Sequence, residues 1–132
     1  MTTPDHILVL KEELQGEDGS FLIELRCNLK WNKKAFIRLI RAMQDYIERR
    51  PKSESLERWV AEGFWFLDHF VKEWSSHASF SRPYERQYYE DAYERLHDLA
   101  YWLFVGESPY EDGSLHHSMS NSYSQRIRWR IV

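Results

Sequence analysis

Residues 21–31 read FLIELRCNLKW, Phe21 to Trp31, and the choice of fold turns on them. Phe21, Ile23, Leu25, Cys27, Leu29 and Trp31 alternate with Leu22, Glu24, Arg26, Asn28 and Lys30. A period of two puts the first set on one face of a strand, whereas helical spacing would scatter it around the axis. The stretch therefore predicts a strand. Residues 6–14 (HILVLKEEL) give a weaker strand signal, because Leu8, Leu10 and Leu14 share a face with Glu12. Between them lies QGEDGS, where Gly19 can take the positive φ that a tight turn needs. The result is an antiparallel hairpin with one wet face. Residues 126–131 repeat the pattern, with Ile127, Trp129 and Ile131 alternating with Arg126, Arg128 and Arg130. They predict a third strand, with its arginines set beside Glu24 or Glu13.

Helical periodicity fills the middle of the chain. Asn32 is placed to cap a helix over 33–49 that stops before Pro51. Its inner arc holds Ala35, Phe36, Leu39, Ile40, Ala42, Met43, Tyr46 and Ile47, and Lys34, Arg38, Arg41 and Asp45 lie outside. A second helix, 54–75 with Ser53 as cap, carries a wide aromatic stripe from Leu56 to Trp74; Trp65 alone among its large apolar residues falls in the middle of the polar face. Pro83 opens a third helix, 83–105, which Gly106 terminates, and 106–124 is a long loop. The expected architecture is an α+β single domain over 1–132: an N-terminal β-hairpin and a C-terminal strand form a small antiparallel sheet packed on three α-helices, in the order β-β-α-α-α-β.

Composition narrows the setting. With 132 residues, 42% of them hydrophobic, the chain is long enough for one real core. No apolar run approaches the roughly 18 residues of a membrane span. MTTPDH lacks the basic-then-apolar signature of a signal peptide, and a lone Cys27 forms no intramolecular disulfide. These features point to a cytoplasmic chain that does not enter a membrane. The net charge of −3 hides a segregation. Residues 26–52 hold nine Lys/Arg against two acids, and residues 53–112 hold thirteen acids against five Lys/Arg.

Catalytic and metal motifs are weak. Cys27 sits on the apolar register, where a thiol is usually buried and inert. The glycines build no phosphate loop. Glu94 and His97 have Glu-x-x-His spacing, but a di-iron site needs a second such motif, which is lacking. His116 and His117 beside Glu111 and Asp112 diverge unless the backbone folds sharply. His69 with Asp68 and His97 with Asp98 are candidate acid–base pairs, but an antiparallel pairing with a turn near residue 79 sets position 97 opposite 61. That register brings Glu62 to His97 and keeps the two histidines apart. No catalytic residue, cofactor or metal is expected.

Two surfaces remain. A basic one (Arg26, Lys30, Lys33, Lys34, Arg38, Arg41, continued by the C-terminal arginines) would suit a nucleic-acid-associated domain. Trp31 and Trp129 face the core register, however, and a pI of about 6.1 is low for a polyanion binder. The acidic surface of the second and third helices carries Glu62, Glu90, Asp91, Glu94 and Asp98 together with Trp65, His69 and Tyr101. Charge that steers and aromatics that anchor are the means of gripping a basic protein. The expectation is a non-enzymatic protein-binding module, most concretely a small inhibitor or immunity-type protein, with Trp65, Glu62, His69, Glu90, Glu94, Asp98 and Tyr101 as its partner-binding residues. A homo-oligomer and an enzyme with an unfamiliar site stay open.

Overall fold

A computed structural model describes residues 5–110, and these are all helix and connection: α1 (Asp5–Leu14), α2 (Phe21–Cys27), α3 (Lys33–Arg49), α4 (Arg58–Ser75) and α5 (Arg86–Val105). No strand is present among the described residues, so the expected α+β fold with an N-terminal hairpin is replaced by a helical one. The predicted strand 126–131 and most of the predicted loop 106–124 lie outside the described residues.

The correction begins at Ser20. Its backbone is extended (φ −73°, ψ 157°) and its hydroxyl accepts from the Ile23 N–H at 3.3 Å, a serine N-cap. The buried Glu13 carboxylate accepts from the Phe21 N–H at 3.1 Å, so a second orphan amide of the first turn is satisfied from α1. With both ends of the turn held, Phe21, Leu22 and Leu25 go to the core at helical spacing. Ile23 is only half-buried and Cys27 is exposed, against the expectation that both face inward. Alternation and helical spacing share Phe21 and Leu25, and the caps decide between them. Gly19 does take a positive φ of 83°, as its turn requires, but it joins two helices rather than two strands.

At Leu29 the chain reverses through a left-handed residue (φ 53°), and the Lys30 N–H returns to the Glu24 carbonyl at 3.1 Å. Trp31 is thereby driven into the centre. It is 4% exposed, meets Phe21 edge-on at 4.8 Å and Tyr89 at 5.2 Å, and donates its indole N–H to the Tyr88 hydroxyl at 2.9 Å.

The helix over 33–49 forms as expected, with the Asn32 side chain accepting from the Ala35 N–H at 3.0 Å. The next two helices start later than predicted. The Ser53 hydroxyl caps a local turn through the Ser55 N–H, and α4 begins only at Arg58. Residues 83–85 stay outside the helix, with Glu85 extended (φ −63°, ψ 147°), and α5 begins at Arg86; Gly106 then ends it in the left-handed region (φ 88°). α1 packs on α3, α3 on α5, and α4 on α5. Gly63 lets α4 approach α1 closely, since a Cβ there would stand 2.6 Å from a Leu14 methyl. No helix among the described residues is long and apolar enough to cross a membrane.

Candidate partner-binding surface

The α4/α5 seam brings part of the expected surface together. Asp68 accepts a hydrogen bond from His97 Nδ1, with oxygens at 3.1 and 3.2 Å, and Ser75 Oγ meets Tyr93 Oη at 2.6 Å. The two contacts run in opposite chain directions, so the helices are antiparallel. Their register is seven residues from the expected one: His97 faces Asp68 rather than position 61, and it does not meet Glu62. The later start of α5, after the non-helical connection 76–85, moves the turn along the chain and shifts the register.

That register also rearranges the expected acid–base pairs. Asp68 pairs across the seam with His97. His69 instead stacks on Trp65 (ring centroids 4.6 Å apart, 33° between planes), with Nδ1 2.8 Å from the Trp65 carbonyl oxygen. Phe70 meets the same indole edge-on at 5.8 Å. Trp65 is 46% exposed, and its ring is held in one orientation by these two neighbours. One turn back from Asp68 and one turn on from His97 lie Trp65 and Tyr101, so antiparallel pairing sets them at the same end of the seam. Phe104, 45% exposed, continues the patch. Glu62 and His69 are exposed beside it, Tyr101 and Glu94 are half-buried, and Glu90 is exposed two turns away towards the other end. Phe70 also joins the Trp65 indole to a row along α4, in which Phe66, Phe70 and Trp74 stack at 4.8 and 5.8 Å, and the Arg26 guanidinium covers Trp74 at 5.0 Å.

Two of the acids expected on the wet side are not there. Asp91 is fully buried, and its Oδ1 accepts from the Gln87 side chain at 2.9 Å. Asp98 is 9% exposed and accepts from the Tyr110 hydroxyl at 3.2 Å; burial pushes its carboxyl up to about 6, against the opposing pull of that hydrogen bond. Arg95 lies between them at 2% exposure. It donates to Gln44 of α3 at 2.5 Å and stacks its guanidinium on Tyr110 at 4.6 Å, while its Nε and Nη1 find no acceptor among the described residues. This polar seam between α3, α5 and residues 106–110 was missed by the sequence reading. Its signal was present: at about 100° per residue Arg95 falls inside the apolar arc of its helix, between Tyr88 and Trp102.

The expected basic surface is divided. Lys33 lies over the rings of Tyr84 and Tyr88 (4.0 and 4.4 Å) and Arg26 over Trp74, whereas Lys34, Arg38 and Arg41 line the α1/α3 seam. Trp31 is in the core. Among the described residues no cluster of three or more His, Cys, Asp or Glu is arranged to hold a metal ion; His116 and His117 lie outside them. Comparison with known protein families, with curated proteins and with solved structures finds no match.

Proposed function

We propose that this chain is a non-enzymatic protein-binding module, in concrete form an inhibitor of a basic protein, and that the Trp65 end of the α4/α5 seam is its contact surface. The exposed, oriented Trp65 indole carries the reading. Leaving a tryptophan half in water forgoes roughly 1–2 kcal/mol of burial, and stacking on His69 reduces the entropy lost when a partner covers it. Phe104 widens the apolar centre, and Glu62 and Glu94 supply acid at the rim, the arrangement of anchor and border found at protein interfaces. Asp91 and Asp98 take no part, since both are buried. A reducing, cytoplasmic setting suits the single exposed thiol of Cys27.

The test is affinity capture with the wild-type and Trp65→Ala chains in parallel, then titration of the captured protein. The expected partner is rich in Lys/Arg and loses about 2 kcal/mol or more of affinity with Trp65→Ala, while the melting temperature of the variant stays close to wild type. Equal capture by both chains, or a strongly destabilised variant, refutes the contact surface. A substrate turned over by the wild type but not by His97→Gln would replace it with an Asp68–His97 acid–base reading.

A further inference from the structure

The seam between α1 and α3 contains a cleft of about 260 Å³, on different helices from the Trp65 surface. Val9, Ile37 and Ala42 give it an apolar floor, and His6, Lys34 and Arg41 stand along its rim with Arg38. Arg38 is fixed: Nε meets the buried Glu13 carboxylate at 2.9 Å and Nη2 donates to the Gly19 carbonyl at 2.6 Å. Lys34 and Arg41, one turn to either side, are exposed and form no ion pair among the described residues. The three cations therefore extend about 10 Å along one face of α3. Asp45 follows one turn beyond Arg41 and also borders the cleft.

We infer that this cleft docks an acidic, amphipathic segment of a partner protein, with an apolar side chain on the floor and carboxylates at Lys34 and Arg41. The volume is below the range that encloses a drug-sized ligand, but it takes one or two side chains of a segment lying across it. The Asp45 carboxylate favours a peptide over a polynucleotide. A phosphate backbone brings only negative charge to that end of the cleft, whereas a peptide can place a lysine or arginine there. Among the described residues His6 supplies the only ring in the lining, so unstacked bases find little platform. With the Trp65 surface on α4 and α5, the chain carries two docking faces of opposite charge.

The experiment titrates the full chain into a fluorescein-labelled helical peptide with leucines flanked by glutamates at i, i+4 and i+7, followed by anisotropy. Its glutamine counterpart and a thymidine oligonucleotide serve as comparison probes. The glutamate peptide should bind, and affinity should fall about tenfold or more in Lys34→Glu with Arg41→Glu. Trp65→Ala should leave it unchanged, which separates this cleft from the surface proposed above. Should the charge-reversed variant fail to fold, Lys34→Gln with Arg41→Gln replaces it, with a smaller loss expected. The inference falls if the glutamine peptide binds as well, or if the double variant retains affinity. It also falls if the oligonucleotide binds more tightly with the same sensitivity, or if the cleft proves to be filled by a second copy of this chain, seen as sedimentation of a dimer that the same substitutions dissociate.

Discussion

Asp98 and Arg95 are the two residues whose burial most constrains this protein. Burial holds the Asp98 carboxyl near 6 in the folded state, above its ordinary 3.8. A raised folded-state value favours the protonated form, so the contribution to stability is full below about pH 4 and is lost as pH rises through 6. Asp98→Asn keeps an acceptor for Tyr110 and removes the charge; it should stabilise the protein by roughly 1–3 kcal/mol at pH 8 and by almost nothing at pH 4. Urea melts at the two pH values check this, and an equal effect at both would show that Asp98 is already neutral or well solvated. Arg95 behaves in the opposite sense. It is a buried cation that donates to Gln44 and lies against Tyr110, so Arg95→Met strands the Gln44 amide oxygen and removes a positive charge close to Asp98. The expected cost is roughly 1–3 kcal/mol, read as a lower denaturation midpoint.

At the scale of elements, α2 is the informative case because its sequence satisfies two periodicities at once. Seven residues are too few for a helix to persist alone in water. It persists here because Ser20 and Glu13 satisfy its first amides and Phe21, Leu22 and Leu25 are covered by the core. Its exit is held at a cost: Leu29 has φ 53° with about half of its surface exposed, a conformation that a Cβ disfavours by about 1 kcal/mol. Leu29→Gly should therefore stabilise the protein by several tenths to about 1 kcal/mol by thermal unfolding, although it removes an apolar side chain. Destabilisation would mean that the Leu29 side chain packs in solution. The helices α3, α4 and α5 were legible by contrast, since each keeps a 3.6-residue stripe over four or more turns. Their starts were less so: Ser53 and Pro83 are good opening residues, yet the preceding segments stay non-helical, with contacts such as Tyr46 to Glu57 (2.5 Å) and Tyr84 to Tyr89 along them.

At the scale of the whole molecule, the segregation of charge along the sequence is only partly kept in space: Arg38 of α3 pairs with Glu13 of α1, and Asp91 and Asp98 are buried. Reversal at two acids that are exposed, Glu62→Lys with Glu90→Lys, should slow association with a basic partner and flatten its salt dependence while shifting stability by no more than about 0.5 kcal/mol per site. Stopped-flow association across a salt series measures it, and a rate indifferent to salt in the wild type would remove the acidic face from the interface. Asp98→Lys is unsuited to this purpose, because it would place an ammonium in the core. The sequence by itself determined the three long helices, the Asn32 cap, the left-handed stop at Gly106 and the place of Trp65 on the polar face of its helix, since each follows from a local pattern or a single residue's chemistry. The burial of Trp31 was expected from a strand register that does not form, and comes instead from the reversal at Leu29. Tertiary structure alone decided that residues 5–14 and 21–27 are helices, that His97 meets Asp68, and that Asp91, Arg95 and Asp98 turn inward. Those outcomes depend on partners distant in the chain: Glu13 for Phe21, Gln44 for Arg95 and Tyr110 for Asp98. Periodicity records which face of an element is apolar, but not which neighbour arrives to satisfy its polar groups.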